Sequence, residues 1–148
     1  MRRDSLRAIV SLALGLVGAP VAAQTAADSA AIRATALDYI DGWWSADAQR
    51  MASALHPELV KRIRGIDRQG GREWIDQMGA SRLVRGTGGG GGRETAVAAQ
   101  RSDVRILDIF QSTASVRVDA GPWVDYMHMV KWAGRWVILN VLWEMRKP

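Results

Sequence analysis

The sequence predicts an α+β domain: a strongly bent and mostly antiparallel sheet with about three helices on its concave side. Three observations predict it. Apolar residues in the first half recur at spacings of three and four, which suits helices, whereas those of the second half alternate and are punctuated by short turns, which suits strands. The late strands follow one another directly, as hairpins do. The last hairpin is apolar on both faces, so it needs cover on both sides and is not stable alone.

The elements follow in order. Ile32, Ala36, Tyr39, Ile40 and Trp43 form one face of an amphipathic helix, with Asp28 or Ser29 as N-cap and Asp38 and Asp41 on the other face. Gly42 weakens its last turn. Ser45 or Asp47 caps a short second helix over Ala48–Leu55, which His56-Pro57 ends, because the residue before proline avoids the helical region. Glu58–Arg64 reads as a strand with Leu59, Lys61 and Ile63 on one side. Arg72–Val84 carries Trp74, Ile75, Met78 and Leu83 at helical spacing and is expected to be the third helix, although Gly79 interrupts it.

Gly86–Arg93 contains five consecutive glycines. A phosphate loop needs a preceding strand and a following Lys-Ser/Thr, and neither is present. The segment is expected to be a flexible surface loop, since glycine runs are costly to order. Val104–Phe110 and Thr113–Asp119 are strands joined by Gln111-Ser112; in the second, Ala114, Val116 and Val118 point inward. Trp123–Trp132 and Arg135–Glu144 then pair across Ala133-Gly134 and hold four of the seven tryptophans.

The N-terminus is a separate unit. Arg2, Arg3 and Arg7 precede the apolar run Ala8–Val17, and Val21-Ala22-Ala23 offers small residues for cleavage. Residues 1–23 therefore read as a secretory signal peptide cut near Ala23, leaving a single domain over residues 24–148 in the periplasm or outside the cell. The apolar run is short for a bilayer span, and no cysteine follows for lipid attachment, so no stable membrane anchor is expected. Cleavage removes three arginines and one aspartate and lowers the formal charge from +5 to +3. With that charge and no basic–aromatic motif, nucleic acid is not an expected partner. The absence of cysteine leaves stability to the core. Two histidines without ligand spacing give no metal signature, and no cofactor is implied.

The layout resembles the nuclear transport factor 2-like superfamily, which implies a cone-shaped sheet. The resemblance rests on Tyr39-Ile40-Asp41-Gly42-Trp43-Trp44 followed by Asp47, on His56-Pro57, and on Val124-Asp125-Tyr126 and Lys131-Trp132-Ala133-Gly134-Arg135-Trp136-Val137-Ile138. These segments look most like the lumazine-binding family and, more loosely, like ketosteroid isomerases and polyketide cyclases. In the isomerases a first-helix tyrosine and a penultimate-strand acid donate hydrogen bonds to a developing oxyanion. The resemblance puts Tyr39 at the first position and Tyr126 close to the second. It puts Lys61-Arg62-Ile63-Arg64 where the general base, an aspartate, is expected; no carboxylate stands there.

The alternation adds expectations of its own. His128 shares a strand face with Tyr126 and Val130; facing the cone it can act as acid or base, or it is a hydrogen-bonded wall residue. Asp108 sits among apolar neighbours; it is either a raised-pKa base or a solvated strand-end carboxylate. His56 is expected to be a cap-region side chain, and Asp125, on the face opposite Tyr126, to form a salt bridge or interface contact. On the last strand both alternating faces are apolar; the resemblance implies that Val137, Leu139, Val141 and Trp143 are inside, while Trp136, Ile138, Asn140 and Leu142, with Trp132, form an outer apolar face that suits a homodimer. Catalytic candidates are Tyr39, His128 and Asp108. Candidates for binding a small apolar or aromatic ligand are Tyr39, Trp43, Tyr126, His128, Leu139 and Trp143. The readings in order are an exported small-molecule-binding module, a cofactor-independent isomerase, cyclase or dehydratase, and a homodimeric interaction protein without a ligand.

Overall fold

A computed structural model describes residues 21–66 and 71–147. The expected signal sequence lies, up to residue 20, outside the described residues. Helix α1 runs Val21–Ser45 and α2 runs Ala48–Ala54. Strands β1 (Leu55–Ile66) and β2 (Glu73–Gly79) follow, then α3 (Ala80–Gly88) and a single 3-10 turn, Val97–Ala99. The chain ends with β3 (Asp103–Phe110), β4 (Thr113–Asp119), β5 (Trp123–Trp132) and β6 (Arg135–Met145). The six strands form one bent, unclosed sheet in the order β2-β1-β6-β5-β4-β3. Every joint is antiparallel except β1–β6. The fold is α+β, as the sequence predicts.

Helix α1 buries Ile32, Ala36, Tyr39 and Ile40, the predicted stripe, against Val116, Val118, Met127, Met129, Ile138 and Val141 of the concave face. Asp28 is not a cap. It lies within α1 and accepts hydrogen bonds from Lys131 Nζ (2.8 Å) and Trp136 Nε1 (2.9 Å), which fasten the helix to the last hairpin. Left-handed Ala46 (φ 57°) turns the chain into α2. Asp47 caps α2, its Oδ1 accepting from the Gln49 and Arg50 amides at 3.0 and 2.9 Å. Gly42 permits this close pairing: a Cβ there would lie 3.0 Å from the Met51 nitrogen. Arg50 ties the two helices together through Asp38 (2.9 Å) and Asp41 (3.0 Å).

The expected third helix over Arg72–Val84 is instead strand β2 followed by α3. Trp74, Ile75 and Met78 fit a helical period over so short a window, but the open edge of β1 satisfies their backbone groups as a strand, with seven paired positions from Val60↔Gly79 to Ile66↔Glu73. The helix begins only after Gly79.

Two bulges reset the alternation. Between β5 and β6 the register shifts at His128/Met129, so Met129 pairs with Ile138 and His128 with Asn140, leaving Leu139 extra. A similar shift at Ile106/Asp108 leaves Leu107 extra on β3. A bulge moves every later side chain to the opposite face. Trp136, Ile138, Val141 and Trp143 thus all face the helices. Trp136 and Ile138, expected on an outer dimer face, are core residues at 3% and 0% exposure. Leu139, expected inside, instead lines a groove with His128, whereas Val137, paired with Val130, is buried but outside the main core cluster.

Candidate functional site

The concave face and the helices leave a cavity of about 310 Å³. Tyr39 and Trp43 enter from α1, Lys61 from β1, Met78 from β2 and Leu83 from α3; Trp123, Trp143 and Met145 close it from the end of the sheet, beside Pro122 and Thr95. Its wall is aromatic and aliphatic except for Tyr39, Lys61 and Thr95. Trp123 meets Trp143 edge-on at 6.2 Å and Trp44 at 5.0 Å, so one indole layer supports the next.

The glycine-rich segment holds this wall in place. Gly92 donates its amide to the Trp43 carbonyl at 2.9 Å. A Cβ on Gly92 would lie 2.3 Å from the Trp44 ring, and one on Gly91 (φ 54°) would lie 2.3 Å from the Trp43 oxygen. The segment expected to be a flexible surface loop therefore packs on α1, and glycine is needed because backbone approaches indole.

A buried polar group stands at the cavity wall. Lys61 Nζ donates to Asp125 Oδ1 at 2.6 Å and to Tyr39 Oη at 2.5 Å. Trp123 Nε1 donates to Asp125 Oδ2 at 2.8 Å, and Tyr39 Oη makes a long contact with Oδ1 at 3.4 Å. Asp125, Tyr39 and Lys61 are 0%, 2% and 6% exposed. The sheet register explains the meeting. Lys61 pairs with Val141 and Asp125 with Trp143, both on β6, so the lysine stem crosses β6 to reach β5. Its ammonium nitrogen passes 4.7 Å from the Trp143 ring centroid, a cation–π distance. Burial pushes the Lys61 amine below its ordinary pKa, with Asp125 pulling the other way. Burial first, then the Asp125 charge, raises the Tyr39 phenol well above its usual value, so it stays a neutral donor. Among the described residues, Trp143 Nε1 is the one buried side-chain nitrogen or oxygen without a hydrogen-bond partner.

The sequence candidates separate into two places. Tyr39, Trp43 and Trp143 meet in the cavity. Tyr126, His128, Leu139 and Asp108 do not reach it. Tyr126 is 53% exposed, and His128 and Asp108 are also exposed, all on the convex side. Asp108, His128 and Leu139 line a separate groove of about 290 Å³ there, with Phe110, Ser115 and Val130. The expectation that Tyr126 and His128 face the cone is reversed because β5 turns Trp123, Asp125, Met127 and Met129 inward. Asp125, expected on the face opposite the cone, is therefore an inner residue. The expected salt bridge of Asp125 exists, but inside the fold. His56 stacks edge-on with Trp132 at 5.1 Å and accepts from the Glu58 amide at 3.1 Å.

Lys61 and Asp125 were absent from the candidate list, yet a signal was there. Each sits in an otherwise apolar row: Leu59-Lys61-Ile63 on β1, and Trp123-Asp125-Met127-Met129 on β5. Opposite charges isolated on two inward faces need each other. Asp125 is the neighbour of Tyr126, the residue that the resemblance puts close to the penultimate-strand acid. Among the described residues no group of three or more His, Cys, Asp or Glu could hold a metal ion, and no helix is long and apolar enough to cross a membrane.

Comparisons with known proteins agree with this layout. The model of a family described as "Putative lumazine-binding" matches residues 27–144. A search of curated proteins finds no match. Among solved structures, an NTF-2 like protein of unknown function from Silicibacter pomeroyi aligns at TM-score 0.62 and 16% identity, covering 82% of this chain and 98% of that one. A hexachlorocyclohexane dehydrochlorinase, LinA-type3, from Novosphingobium barchaimii aligns at 0.59 and 12%, covering 85% and 91%. A ketosteroid isomerase-like protein from Erwinia carotovora atroseptica aligns at 0.50 and 16%, covering 80% and 96%. At these identities the structures establish the shared fold.

Proposed function

The chain belongs to the family described as "Putative lumazine-binding", within the nuclear transport factor 2-like superfamily, and from that premise we propose that it is an exported protein that binds a small, flat, largely apolar molecule in the cavity beside Lys61. One observation carries the reading: an indole-lined cavity of about 310 Å³ with a buried Lys61–Asp125–Tyr39 cluster in its wall. Apolar pockets with a few placed polar groups are the usual form of small-molecule sites. Trp43, Trp123 and Trp143 supply contact area, while Lys61 and Tyr39 orient a carbonyl or hydroxyl of the ligand. Titration with pteridine-like and other planar aromatic compounds should quench tryptophan emission. Absence of quenching across such a panel, with folded protein, overturns the reading.

A second reading is favoured by one specific placement. Lys61 stands where the isomerase resemblance expects the general base, and Tyr39 is held as a neutral donor 2.5 Å away. A lysine depressed by burial can accept a proton from carbon while Tyr39 stabilises the enolate oxygen. Turnover of enolisable ketones that Lys61→Met abolishes would support it; equal turnover by the variant would remove it.

Export is part of the proposal and rests on the N-terminal sequence. The assembly proposed is a homodimer through the convex face, where Phe110, Tyr126, Trp132 and Leu142 are 53–68% exposed. Isolated monomers seldom leave so many large apolar side chains in water.

A further inference from the structure

Orienting a ligand does not by itself call for an amine at position 61. Holding an amine in an apolar wall is costly, and a hydrogen-bonding amide or hydroxyl would orient a ligand at lower cost. The surroundings of the amine fit a chemical step. Nζ touches a carboxylate oxygen at 2.6 Å and a phenol oxygen at 2.5 Å, and it borders an aromatic cavity. A carboxylate acceptor, a phenol donor and an apolar cavity thus meet at one lysine side chain.

We propose that Lys61 forms a reversible imine with the aldehyde or ketone group of a small aromatic or apolar ligand seated in this cavity. The proposal rests on the reading of the cavity as a ligand site. Lys61 first passes its proton to Asp125, freeing the Nζ lone pair. That pair attacks the carbonyl carbon, and the C=O π pair moves to oxygen, which takes the Tyr39 proton to give a carbinolamine. Nitrogen then loses a proton to the Tyr39 phenolate. The hydroxyl leaves as water with the proton held by Asp125, and the C=N bond forms. Amine and carbonyl yield imine and water, with no change of oxidation state. The depressed basicity of the amine and the retained phenol proton both favour this sequence.

The chain has three lysines, which makes the test internal: Lys131 is paired with Asp28, Lys147 is exposed, and Lys61 borders the cavity. The folded protein is incubated with 4-methylbenzaldehyde and cyanoborohydride at neutral pH, and the reduced adducts are mapped by peptide mass. Tryptophan emission is followed in parallel without reductant. The expected result is quenching together with labelling of Lys61 at least tenfold faster than of Lys147. Lys61→Arg keeps a cation for Asp125 but cannot form the imine; it should lose the adduct. If that variant does not fold, the wild-type map decides. Quenching with Lys61 labelled no faster than Lys147 overturns the imine and leaves the binding site standing. Neither quenching nor a Lys61 adduct overturns both.

Discussion

Replacing Lys61 by methionine tests whether the cluster is as buried and as coupled as its geometry indicates. Two unit charges 2.6 Å apart attract by about 6 kcal/mol at an effective dielectric near 20. Much of that is offset by the cost of drying both groups, so the intact pair adds little net stability. Methionine keeps the stem but leaves the fully buried Asp125 carboxylate without its cation, held only by the Trp123 indole and the long Tyr39 contact. Breaking a buried pair in this way costs about 3–5 kcal/mol. A domain of this size loses roughly 4 °C of Tm per kcal/mol, so the variant should melt about 12–20 °C lower. Chemical denaturation should show the same loss at unchanged slope. The double variant Lys61→Met/Asp125→Asn should recover most of it, because no charge is then buried. A single variant within about 0.5 kcal/mol of wild type, or a double variant no better than the single, would show that the two charges are not coupled in a buried site.

Other outcomes follow from the same geometry. The Tyr39 phenol is raised in the folded state, so only the unfolded chain ionises there as pH climbs past about 10; wild-type stability should fall by up to about 1.4 kcal/mol per pH unit in that range, and Tyr39→Phe should flatten the slope in pH-dependent unfolding. Gly92→Ala should cost about 1–3 kcal/mol by denaturation, since the new methyl group meets the Trp44 ring at 2.3 Å. His128→Ala, on the convex side, should change ligand affinity less than twofold in fluorescence titration, where Trp143→Ala weakens it at least tenfold. Trp132→Glu, at an exposed convex position, should halve the mass measured by light scattering if the proposed dimer forms there.

What the sequence could reveal depended on how far each signal ran without interruption. Helix α1 repeats its apolar stripe from Ile32 to Trp43, and that period placed Tyr39 and Trp43 correctly. Strand β4 alternates without a break, and Ala114, Val116 and Val118 are inside as expected. On strand β5 the resemblance points to Tyr126, which puts Tyr126 and His128 inward and Asp125 outward, the reverse of the structure. The methionines at 127 and 129 share the row of Asp125 and mark it as the inner one. Strand β6 defeats any single alternation, because the bulge at Leu139 puts Trp136 and Ile138 on the same side as Val141 and Trp143. Strand β2 was hidden by a pattern too short to separate a helix from an edge strand. The Lys61–Asp125 pair joins positions 64 residues apart across an intervening strand, and only the register of the sheet brings them together.

The indole N–H signals of isotope-labelled protein report directly on a ligand site lined by particular tryptophans. The seven tryptophans give separate probes. Adding a planar aromatic ligand that quenches emission should shift the signals of Trp43, Trp123 and Trp143 and leave that of Trp132 in place. Shifts confined to Trp132, or none at all while the ligand is bound, would contradict the account.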